Sequence, residues 1–245
     1  MENFGDHPAD LETVLERFPD ERVHVATLKE PKTTPPLLAP EVRDDGELIE
    51  RVTGFYDYHG LNNADGNTCG QAAIAAVADR LGLNINVPRE SNGHWNNDAA
   101  INRILADGHR PDVFFGKFGT SGGTIASALA AYGANNVTCG YVGVGGFMCQ
   151  GGWSWEQCWA SVQSWVNAGW PVPVLVDAHW VIPGQPVGSG HWPVMIDCGG
   201  GNVTLANCRS DGRPIVLAQD AFLTAWNYLL GSVCGYSHCF VVAQR

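Results

Sequence analysis

The chain has 245 residues, 45% of them apolar and 16% charged, and a net charge of −11. That is enough for one sizeable core in one large or two small domains, and the balance excludes a disordered or fibrous chain. The acidity makes nucleic acid and an anionic membrane poor partners, and no apolar run reaches the roughly 20 residues of a membrane span.

The charge is concentrated at the N-terminus. Residues 1–51 hold 13 acids and 6 bases, a net of −7, which leaves −4 for the rest. Residues 9–18 have helical apolar spacing with Asp10 as a possible cap, and residues 31–40 carry four prolines and read as extended linker. Residues 1–55 are therefore expected to form an N-terminal extension or pro-segment, and residues 56–245 the main domain. The opening Met-Glu-Asn-Phe-Gly-Asp-His lacks the basic and apolar regions of a secretory signal. A cytoplasmic location is expected, with a non-classical secretion route left open.

Residues 61–68 are rich in turn formers. The alanine-rich run from Cys69, closed by Gly82, reads as a central helix apolar on most faces. Further helices are expected at 97–106, at 124–132 after the Gly119-Thr-Ser-Gly-Gly123 loop, and at 155–168 before Gly169. A glycine-rich loop covers 143–152. Beyond Gly169 the period changes to that of strands. A buried strand is expected over 172–177, then a hairpin of 194–198 with 202–207 around Gly199-Gly-Gly201. A helix over 219–230 and a strand over 233–242 complete an α+β order, with helices first and an antiparallel sheet second.

Cys69 opens the central helix. A helix N-terminus and a nearby imidazolium are the two devices that favour a thiolate. A buried structural thiol is the plain alternative. Of eight histidines, His191 stands just before the strand of the expected hairpin, and Asn207 follows it by sixteen residues at the end of the partner strand. An Asn207 side-chain oxygen accepting the ring N–H would fix the tautomer and orientation of the base. The two residues share a face only if the paired residue numbers sum to an even value, which needs an odd turn or a bulge, and Pro193 permits such an irregularity. His179, in Asp177-Ala-His-Trp180, is the competing base.

The segments Asn67-Thr-Cys69-Gly-Gln-Ala-Ala, Gly190-His191-Trp-Pro-Val-Met-Ile and Val203-Thr-Leu-Ala-Asn207 resemble the papain-like superfamily in order and spacing. With Trp170-Pro-Val-Pro-Val-Leu-Val176, the detail is most similar to the double-glycine leader peptidases that process bacteriocins. The resemblance covers residues 55–242 and implies a papain-like fold. It also implies an oxyanion-hole side chain six residues before the nucleophile. Asn63 stands there in place of the family's usual glutamine, with Asn62 and Asn67 as neighbours able to substitute. Asn207 stands where the leader peptidases usually have aspartate, and an exporter role is not expected.

The expected function is a cysteine hydrolase that cleaves a peptide or isopeptide bond in a peptide or protein substrate. A transglutaminase, deamidase or amide-forming acyltransferase shares the same first half-reaction. A catalytically inactive binding protein of the same fold also stays open. The eight cysteines contain no Cys-x-x-Cys pair. Reduced buried thiols are expected, with Cys198–Cys208 as the first candidate for a disulfide. Cys234, His238 and Cys239 lie close in sequence, but no second ligand pair matches them, so no metal and no cofactor is expected. The Gly119–Thr124 segment lacks the lysine of a phosphate loop and reads as a flexible turn.

Overall fold

Five alanines and a glycine among 13 residues let a helix pack closely on every side, and the first helix of the core does so. Helix α1 (Cys69–Leu81) buries all 13 of its residues and ends at Gly82, whose φ of 65° supplies the left-handed cap. The computed structural model describes residues 68–91, 93–114, 117–142, 149–208, 212–227 and 237–245. The expected N-terminal helix, the linker, the domain boundary at 55 and Asn63 lie outside them.

Around α1 pack α2 (Asn97–Ala106) and α3 (Gly122–Ala131). Asn96 caps α2 by accepting from the Ala99 N–H, and Ser121 caps α3 by accepting from the Thr124 N–H. Helix α3 therefore starts two residues earlier than the sequence pattern suggests, because the serine cap and not the glycine pair sets its origin. Between α2 and α3 lies a short antiparallel pair, β1 (Asp112–Phe114) with β2 (Lys117–Gly119). Helix α4 (Trp155–Asn167) begins at a capping box in which Ser154 and Gln157 satisfy each other's backbone N–H.

Two sheets back the helices. One has the order β11-β3-β4, with β3 (Asn135–Val142) antiparallel to β11 (Ser237–Gln244) and parallel to β4 (Gln150–Trp153). The other has the order β10-β9-β8-β5 and is antiparallel throughout. Its strands are β5 (Val172–Pro173), β8 (Val194–Asp197), β9 (Asn202–Ala206) and β10 (Ile215–Ala218). A small pair, β6 (Val176–Asp177) with β7 (Gly190–His191), lies between. Helix α5 (Gln219–Trp226) packs on this side, and its Phe222 and Trp226 rings stack 5.5 Å apart. The class is α+β, with sheets that are mostly antiparallel.

Three expectations change. Residues 150–152 belong to β4 and not to a loop. The run 172–177 is two strands, since the Val174 N–H donates to the Pro193 carbonyl but Pro193 has no N–H to return, and the chain bridges Val174 to Phe240 before it pairs with β7. The hairpin does supply the even register: Val194 faces Ala206 and Met195 faces Leu205. It does so through a bulge between Met195 and Asp197, beyond which Asp197 faces Thr204, and not at Pro193.

Candidate active site

Cys69 is the first residue of α1 and is 2% exposed. The first turn of α1 carries no acidic side chain, and Thr68 makes no side-chain cap. No carboxylate of that turn therefore offsets the positive end of the helix at the sulfur. Gly70 follows because its space is taken. A Cβ there would run into the side chain of Thr120, whose Oγ1 lies 3.3 Å from the buried Gln71 amide nitrogen. The loop before α3 is thus seated directly on the start of α1. It is an anchored turn, held further by the Trp192 indole N–H, which donates to the Thr120 carbonyl at 2.7 Å.

His191 ends β7, where it pairs with Val176 and is buried. Its Nε2 lies 2.5 Å from the backbone carbonyl oxygen of Asn207. This corrects the expected contact: the main chain of Asn207, not its side chain, receives the ring. The side-chain amide nitrogen of Asn207 instead donates to two other carbonyls, Trp192 at 2.7 Å and Cys69 at 3.1 Å. Asn207 leaves β9 with a φ of 62°, and this left-handed turn is what aims the carbonyl at the imidazole. One buried residue therefore ties the histidine strand, the histidine ring and the start of α1 together.

His179, the competing base, is exposed on a 3-10 turn, and its Nδ1 is held by the Gln185 carbonyl at 2.8 Å. The sequence pattern did not single out Thr120, which with Trp192 locks the surroundings of Cys69 and His191. Its signal was the glycine after Cys69, a residue that marks close approach by a neighbour.

Burial pushes Cys158 up to about 12 and Cys198 up to about 11, the charge of Asp197 adding to the latter. Burial raises Cys208 and Cys239 further still. The candidate Cys198–Cys208 disulfide is absent. Cys198 lies past the turn end of β8 and Cys208 past the far end of β9, so the observed register keeps them apart. Cys198 points to the Asn167 side-chain oxygen and Cys208 to the Ala206 carbonyl. The bridge present joins Cys139 to Cys149.

No protein-family model matches the chain, and comparison with curated proteins finds no matching relative. Among the described residues no helix is long and apolar enough to cross a membrane.

Proposed function

We propose that the chain is a papain-like cysteine hydrolase, with Cys69 as nucleophile and His191 as base, acting on a peptide or isopeptide bond through an acyl-enzyme. The observation that carries this reading is the double attachment of Asn207, whose carbonyl meets His191 Nε2 while its amide donates to the Cys69 carbonyl. A carbonyl oxygen only accepts, so Nε2 holds the ring proton and Nδ1 keeps the basic lone pair. In the proposed reaction Nδ1 takes the Cys69 proton and the thiolate attacks the substrate carbonyl. The protonated ring then delivers its proton to the leaving amine. Water activated by the same nitrogen releases the acid and restores the thiol. Asn63 and the Cys69 backbone N–H are assigned to the oxyanion, Asn63 on the family resemblance alone. An amine in place of water would turn the same intermediate to transfer.

The 2% exposure of Cys69 favours a second reading, a papain-fold binding protein that does no chemistry. Alkylation separates the two. Iodoacetamide at about pH 6, below the ordinary thiol range, is expected to modify Cys69 selectively. His191→Ala should slow that reaction on the order of 100-fold. Uniform labelling of all thiols, unchanged by His191→Ala, overturns the nucleophile and leaves the binding protein.

A further inference from the structure

Three sulfurs other than that of Cys69 converge at the start of α3. Cys139 on β3, Cys149 just before β4 and Cys239 on β11 place their Sγ atoms within 4.8 Å of one another. Cys139 and Cys149 are joined, and the Cys239 sulfur lies 4.0 Å from that of Cys139. A disulfide staple needs two cysteines, so the third sulfur calls for a separate account.

The strand pairing accounts for its position. Cys139 faces Val241 across the sheet, which puts Cys239 diagonally beside it. Gly122, the first residue of α3, closes the group from the other side. A Cβ on Gly122 would lie 2.5 Å from the Cys139 sulfur, 3.1 Å from that of Cys239 and 3.2 Å from that of Cys149. All three sulfurs thus share one small chamber at the positive end of a helix, an end that favours anionic ligands.

We propose that Cys139, Cys149 and Cys239 form a redox-gated thiolate site for a soft metal ion of the zinc class, closed by the Cys139–Cys149 bond and open when that bond is reduced. Thiolates bound to zinc at about 2.3 Å in tetrahedral geometry stand roughly 3.8 Å apart. The Cys139–Cys239 spacing of 4.0 Å already approaches this. Opening the site takes two electrons and two protons from an external dithiol, which leaves as its own disulfide while Cys139 and Cys149 become thiols. Zinc then displaces three thiol protons, and the site carries a net charge of −1 with one coordination position left for water.

Cobalt(II) serves as the probe for zinc. The full chain, reduced with a phosphine and titrated with cobalt, should bind one equivalent and develop a thiolate-to-cobalt charge-transfer band that zinc abolishes. Re-forming the disulfide with a mild oxidant should remove the band. Cys239→Ser should weaken cobalt binding on the order of 100-fold or more, at least the loss expected for a supporting group. Cys198→Ser and Cys69→Ala should leave binding unchanged. Should Cys239→Ser fold poorly, Cys149→Ser at its half-buried position carries the same expectation. The proposal is overturned by a reduced chain with no charge-transfer band. It is equally overturned by a band that survives Cys239→Ser, or by one that Cys69→Ala removes. None of these outcomes depends on whether Cys69 is a nucleophile.

Discussion

The imidazole of His191 rests on the main chain of Asn207, while the Asn207 side chain reaches past it to the Cys69 and Trp192 carbonyls. The arrangement gives the main chain and the side chain of Asn207 separate roles. The carbonyl orients the ring. The amide fastens the strand end to the helix start.

Substitutions at Asn207 separate these roles. Asn207→Gly keeps the left-handed backbone and the carbonyl but loses two donated hydrogen bonds, a cost of about 1–3 kcal/mol. Asn207→Asp puts a buried carboxylate against two carbonyl oxygens and should cost more than glycine does. Denaturant unfolding of both variants checks the order. Aspartate tolerated better than glycine would return the ring contact to the side chain.

Gly70→Ala should destabilise by about 1–3 kcal/mol, because the new methyl group overlaps the Thr120 side chain. Thr120→Gly removes that obstacle, so the double variant should lose less than the sum of the two single losses. A double-mutant cycle on thermal unfolding reads this coupling. Strict additivity would mean that the loop withdraws freely from α1.

Arg89 and His94 share the buried Asp79 carboxylate, at 2.5 Å and 3.1 Å. Arg89 also lies 4.7 Å from the Trp95 ring centre. Arg89→Ala should cost about 2 kcal/mol, above the range of a surface ion pair, since the carboxylate stays buried with one partner fewer. Arg89→Lys should recover only part of this, because an ammonium lacks the planar fork. Urea midpoints of the two variants test it, and a loss below about 0.5 kcal/mol would make the pair an ordinary surface bridge.

His238 predicts a pH dependence. Its backbone is left-handed, with a φ of 56°, and its ring packs edge-on against Trp226 at 5.1 Å. Burial lowers it from 6.5 to about 4, with the Glu156 charge acting the other way. The unfolded chain therefore binds the proton first as pH falls. Stability should be full above about 6.5, decline between about 6.5 and about 4, and lose about 2 kcal/mol or less, the half-exposed ring limiting the effect. His238→Asn, which tolerates this backbone, should flatten that segment of a stability–pH curve. An unchanged slope would assign it to other groups.

Helices were the most legible part of the fold. Cap chemistry and apolar period placed α1 and α2 at their observed limits and α4 within one residue. Strand β3 escaped notice because its first two residues are exposed and the next ones are buried in succession, without alternation. Strand β10 was missed because it is short and follows Arg213-Pro214. At the candidate site, Cys69 and His191 carry their chemistry in their side chains and could be singled out. Asn207 could be placed beside His191 by register, but every residue has a carbonyl, so which group would meet the ring was not written in its name. Only the ease with which asparagine takes a positive φ pointed that way.

The bulge in β8 has a consequence for insertions. Pairing between Val194 and Ala206 sets the site end of the hairpin, and the irregularity between Met195 and Asp197 separates it from the turn. The Gly199-Gly200-Gly201 turn is exposed, with Gly200 and Gly201 at φ values of 62° and 77°. Extra residues there can loop out beyond Asp197 without altering which residues pair at the far end. A deletion between His191 and Val194 would instead turn His191 to the opposite face of the sheet from Asn207. The glycine turn is therefore the natural place to graft a tag or reporter, while the spacing from His191 to Val194 is the dimension the hairpin cannot change.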